Sequence, residues 1–109
     1  MITATFIFKP QSYDAEFQSL DERIEAIAVA NEGYLGRKRW SDPDGNRSVV
    51  YYWRSMEDLA LFQRDSTHRL AKSRYTEWYA GYRVEIAEVT DVYGDGYFDK
   101  SFPSEEQAT

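Results

Sequence analysis

Three observations predict an α+β domain with the element order β-α-β-β-α-β. The chain opens on an alternating strand, and two later segments carry apolar residues at helical spacing. A dense turn signal at 42–46 also joins two stretches rich in β-branched and aromatic residues. Elements in that order fold as a ferredoxin-like split βαβ, a four-stranded antiparallel sheet with helices on one face. At 109 residues there is room for one core, not two. The 42% apolar and 17% aromatic shares supply it, since a disordered chain lacks the rings to offset its ordering entropy.

Ile2 to Phe8 alternates, with Ile2, Ala4, Phe6 and Phe8 on one face and Thr3, Thr5 and Ile7 on the other, and Lys9-Pro10 breaks it. From Tyr13 the period changes: Phe17, Leu20, Ile24, Ile27 and Ala28 form the stripe of an amphipathic helix. Gly33 then reads as a left-handed helix cap. Tyr34 to Trp40 and Arg47 to Trp53 form a hairpin around Asp42-Pro43-Asp44-Gly45-Asn46. Ser55 caps a short helix whose first turn is acidic and whose buried side is Leu59 and Phe62. A longer helix is expected from Asp65-Ser66 to about Gly81, facing inward with Thr67, Leu70, Ala71, Arg74 or Tyr75, Trp78 and Tyr79. Tyr82 to Val92 closes the sheet. The domain is thus expected to occupy 1–94. Residues 95–109 form an acidic C-terminal tail or dimer arm, with Asp95, Asp99, Glu105 and Glu106 against Lys100, a net −3.

Charge and composition narrow the function. Thirteen Lys+Arg against nineteen Asp+Glu leave −6, unsuited to neutralising a phosphate backbone, so no nucleic-acid partner is expected. No cysteine means no disulfide, thiolate metal site or cysteine nucleophile, and one histidine cannot build a two-imidazole zinc site. The opening residues do not read as a secretory leader and no stretch approaches a membrane span. The expectation is therefore a soluble cytoplasmic protein. Helices on one side leave the other sheet face bare, which predicts a homodimer through that open face.

Gly33-Tyr34-Leu35-Gly36 followed by Trp40, then Tyr52-Trp53-Arg54-Ser55, His68-Arg69-Leu70-Ala71 and Trp78-Tyr79-Ala80-Gly81-Tyr82 resemble the antibiotic biosynthesis monooxygenase family. The resemblance spans about residues 2–94, closing on Val89 to Gly94, and rests on the order and spacing of these pieces. It is greatest toward the branch without an assigned substrate. It implies a dimeric α/β barrel, with each protomer's ligand cavity between its own sheet and helices. It also implies cofactor-free oxygenation of an electron-rich aromatic or oxygenative haem breakdown. The chain departs from the family's functional positions. Thr3 and Thr5 stand where a first-strand Asn is expected, Phe62 where a helix Trp is expected, and Lys72 where the haem-degrading branch carries His.

His68 is the single imidazole and the candidate catalytic base; its structural alternative is a helix-start residue bonded to a carbonyl or carboxylate. His68, Lys72, Tyr75 and Tyr79 share a helix face, expected at the margin of the pocket. Trp53, Phe62, Tyr75 and Tyr51 are the candidate wall of an aromatic site, and Trp40 is a second ring able to stack a planar ligand. Arg37 and Arg39 share one strand face, and Arg39 is the candidate for an acidic substrate. The functional expectation is a small monooxygenase using neither metal nor flavin. The alternatives are a haem-binding or haem-degrading protein with His68 as ligand, and a non-catalytic dimeric ligand-binding or stress-related module.

Overall fold

The first strand runs two residues past its expected end, through the Lys9-Pro10 expected to break it: β1 is Ile2–Pro10, with a register shift against its neighbour between Lys9 and Pro10. Proline is tolerated there because it sits at the strand's end beside an irregularity, where its missing N–H disrupts no ladder. In this computed structural model, residues 1–104 are described, residues 66 and 67 by their backbone alone. Glu105 and Glu106 of the expected acidic tail lie outside the described residues, as does the side chain of Thr67.

Helix α1 (Ala15–Ala30) begins where the Asp14 side chain accepts the Phe17 N–H at 2.8 Å. Its expected stripe is inward: Leu20 and Ala28 are buried, Phe17, Ile24 and Ile27 half-buried. The hairpin strands β2 (Tyr34–Ser41) and β3 (Arg47–Trp53) turn on Gly45 at φ +84, with Asp42 accepting from the backbone N–H groups of Asp44 and Asn46. Helix α2 (Met56–Gln63) is capped by Ser55, and Leu59 and Phe62 are its buried side. Helix α3 (Ser66–Ser73), a 3-10 turn (Tyr75–Glu77) and β4 (Tyr79–Glu88) complete the element order. The sheet order is β2-β3-β1-β4, all neighbours antiparallel, so the ferredoxin-like fold is observed.

Four local expectations are corrected. Gly33 does not adopt a left-handed conformation; it is needed because a Cβ there would lie 2.1 Å from the Asp58 carboxyl carbon. The helix expected to reach Gly81 ends at Ser73. The Trp78 carbonyl instead accepts the N–H groups of Gln11 and Ser12, drawing the chain alongside β1, so that Tyr79 enters β4. Arg74 closes the corner, its guanidinium bonded to Glu16 and Glu77 and lying over the Trp78 ring. Leu70 points outward, 46% exposed. The fourth strand stops at Glu88, not Val92, after which the Val89 N–H donates to the Met1 carbonyl at 2.9 Å.

The register sorts the side chains into two faces. Ala4, Phe6 and Phe8 oppose Tyr51, Val49 and Arg47 on β3 and Ile86, Val84 and Tyr82 on β4, so all of these face the helices. Trp53, Ala28, Leu59, Phe62 and Ile2 form the core at one end of that layer. On the outer face the strand rings are Tyr52 and Trp40. Trp40 sits on this outer face by register and stacks on Phe102 at 6.4 Å, and it also borders the space between sheet and helices. Of the three tail rings, Phe102 thus docks on its own sheet, with Lys38 over it and Pro103 against Gly36, while Tyr97 and Phe98 stay exposed.

Candidate functional site

Between the helices and the inner sheet face lies a cavity of about 660 Å³, within the size range of small-molecule sites. Its position follows from packing: α2 seals the Trp53 end of the sheet, whereas Tyr82, Val84 and Ile86 of β4 remain 38%, 49% and 44% exposed. His68, Trp53, Phe62, Tyr75, Tyr51 and Arg39, the residues expected from the sequence, all line this one space. Lys72 of α3 and Tyr79 of β4 line it as well, with Lys72 exposed.

Rings dominate the walls. Trp53 meets Phe62 at 5.0 Å and Phe62 meets the His68 imidazole at 4.8 Å, a continuous ladder at the sealed end. Tyr75 lies edge-on to Tyr82 at 4.8 Å. Toward the other end Phe6 and Phe8 stack at 4.9 Å beneath Tyr79, which Phe17 of α1 and Tyr13 from the segment before it cover.

His68 is a half-buried imidazole whose Nδ1 is buried and makes no well-formed hydrogen bond, the Gln63 carbonyl being the backbone group that acts on the ring. Burial first, and then the Lys72 ammonium, push its pKa below the ordinary 6.5, against the opposing pull of the Gln63 carbonyl and Asp65. At neutral pH the ring is therefore uncharged and able to accept a proton. The phenols shift the other way. Burial raises Tyr51, Tyr79 and Tyr13, so they remain protonated hydrogen-bonding groups. Trp53 Nε1 is likewise buried without a partner.

Haem is not supported at this site: Phe62 packs against the His68 ring at 4.8 Å, and one turn further along α3 stands Lys72, not a second imidazole. Among the described residues no group of His, Asp or Glu is arranged to hold a metal ion, and no helix is long and apolar enough to cross a membrane.

The model of the monooxygenase af470-like family matches residues 5–94. The chain belongs to that family. It is 30% identical over 77 residues to the uncharacterized protein YqjZ of Bacillus subtilis, a match covering 70% of this chain and 68% of that one. Among solved structures it resembles Rv0793 of Mycobacterium tuberculosis, with TM-score 0.68 and 14% identity over 85% of this chain and 98% of that one. It also resembles SnoaB, a cofactor-independent oxygenase from Streptomyces nogalater, with TM-score 0.66 and 12% identity over 84% of this chain and 94% of that one. An antibiotic biosynthesis monooxygenase superposes with TM-score 0.64 and 8% identity, over 84% of this chain and all of that one. These structural likenesses establish the fold. The af470-like match adds monooxygenase family membership, in keeping with the resemblance read from the sequence.

Arg47 and the Phe6–Phe8 pair escaped the sequence reading as site residues, and Lys72 was expected only at the margin. Arg47 was legible, because it alternates in step with Val49, Tyr51 and Trp53 and must share their face. Tyr79 was read as helical, which hid its place over β1.

Proposed function

We propose that the chain is a small monooxygenase that oxidises an electron-rich aromatic molecule without metal or flavin, with His68 as the base. The observation that carries this reading is a neutral imidazole, its buried nitrogen unpaired, on the wall of a cavity built from aromatic rings. Unsatisfied buried polar atoms are rare in native folds, and a catalytic role is one established reason for keeping one. Likeness to a cofactor-independent oxygenase supports the same reading.

In this mechanism the imidazole removes a phenolic proton, and the phenolate donates electrons to dioxygen. A carbon–oxygen bond then forms at a ring methylene conjugated with the phenolate. One oxygen atom stays as the new carbonyl, while the other leaves as water with the two hydrogens the methylene gives up. The substrate is the reductant, so the protein supplies a base, a dry aromatic wall and hydrogen-bonding phenols. Trp53, Phe62, Tyr51 and Tyr75 shape that wall. Two protomers pair through the outer sheet face in this reading, and sedimentation at micromolar concentration is expected to show twice the chain mass; a monomer there would remove the dimer.

The test is dioxygen uptake with a panel of phenolic anthrones in the presence of a chelator. Uptake by the wild type, falling by about 10²-fold or more in a folded His68→Gln variant, supports the reading. No uptake above buffer across the panel, or equal rates in both proteins, overturns it.

A further inference from the structure

We propose that the open end of the cavity binds an anionic group on the substrate, a carboxylate, through Arg39 and Arg47. This rests on the reading above that the cavity takes an aromatic molecule, and it adds a requirement that neither rings nor base impose.

The argument begins with register. Arg39 lies opposite Val49, and Arg47 precedes Val49 at the next same-face position on β3, so the two guanidinium groups extend from neighbouring strands on the cavity side. Diagonal neighbours of this kind stand about 7–8 Å apart at the backbone, within reach of two long side chains converging on one group. Their state of pairing separates them from the other cavity arginine. Arg37 is held by Glu25 at 2.8 Å, whereas among the described residues Arg39 and Arg47 make no ion pair. Asp21 on α1 also lines the cavity. It acts on the hydroxyls of Tyr13, Tyr51 and Tyr79 and makes no ion pair with either arginine. Two exposed guanidiniums at the mouth of an aromatic cavity match the planar, bidentate geometry of a carboxylate.

The same strand serves as a ruler. From Arg47 to Trp53, β3 rises roughly 20 Å at about 3.3 Å per residue. The cations therefore stand at the opposite end of the sheet from the Trp53–Phe62–His68 ladder. A single-ring acid cannot reach both ends. The substrate class that satisfies the two ends together is an elongated aromatic acid, with its anionic group at Arg39 and Arg47 and its oxidisable ring toward His68.

The experiment compares anthracene-2-carboxylate with anthracene-2-carboxamide, matched in shape and differing in charge, by quenching of protein fluorescence. The wild type is expected to bind the carboxylate about tenfold more tightly than the amide, with the preference shrinking as salt rises. Arg39→Gln together with Arg47→Gln should abolish the preference and leave amide binding unchanged, while Arg39→Lys should retain part of it. Both substitutions are at exposed positions, and an unchanged thermal midpoint confirms folding. Equal binding of the two probes by the wild type overturns the carboxylate site and leaves the aromatic cavity standing. A preference that survives the double variant, or that disappears in Lys72→Met instead, also overturns it. Binding of neither probe overturns the cavity reading and the proposal together.

Discussion

The two ends of the cavity are built by different physics. At the sealed end Trp53 is 0%, Leu59 2% and Phe62 6% exposed, and beside them stands an imidazole whose charged form burial disfavours. At the open end Arg39 and Arg47 are exposed, beside rings that α1 covers only in part. Substitutions at the first end therefore mix stability with chemistry, whereas substitutions at the second report binding alone. A fold of this size places both in one space by laying a single strand, β3, along its length.

The largest expected effect lies at the sealed end. Trp53→Ala removes a fully buried ring from the core and should lower stability by about 3–5 kcal/mol in urea denaturation. A loss under about 1 kcal/mol would mean that this end is not closed. Next is Gly33→Ala, where the added methyl meets the Asp58 carboxylate that Ser55 and Arg54 hold. A loss of about 1–3 kcal/mol is expected, since the neighbour cannot move without breaking those bonds. The open end gives the contrast: Arg47→Gln should leave stability within about 0.5 kcal/mol of wild type.

His68 joins stability to pH. Its folded-state pKa lies below the ordinary 6.5, so the unfolded chain takes up the proton first as pH falls. The contribution is therefore full above pH 6.5 and is lost as pH drops through the folded-state value. Relative to a His68→Gln variant, the wild type should lose stability as pH falls below 6.5; a constant difference would show an unshifted imidazole. The smallest effect is expected on the far side of the sheet, where Phe102→Ala removes a half-buried ring from Trp40 and Lys38. It should lower stability by no more than about 1 kcal/mol.

Much of this plan was legible because period and turn chemistry are local. Ile2 to Phe8, the α1 stripe and the 42–46 turn each state their own conformation, and the strand alternation assigns Tyr51, Trp53 and Arg39 to one face. The failures were not local. Trp78 and Tyr79 continue a helical spacing, and only the capture of the Trp78 carbonyl by Gln11 and Ser12 turns the chain into β4. Gly33 looked like a cap because its real neighbour, Asp58, is distant in sequence. The cavity-facing aspect of His68 and Lys72 likewise depended on where α3 stops, which no residue within it announces.

Because His68 is the chain's one histidine, its imidazole gives a single, unambiguous set of NMR signals. Following them against pH, with and without a planar phenol, is the most direct test of a neutral base on the cavity wall. The account predicts a midpoint below 6.5 and a change in those signals when the phenol binds. A midpoint at or above 6.5, with signals indifferent to the phenol, would contradict it.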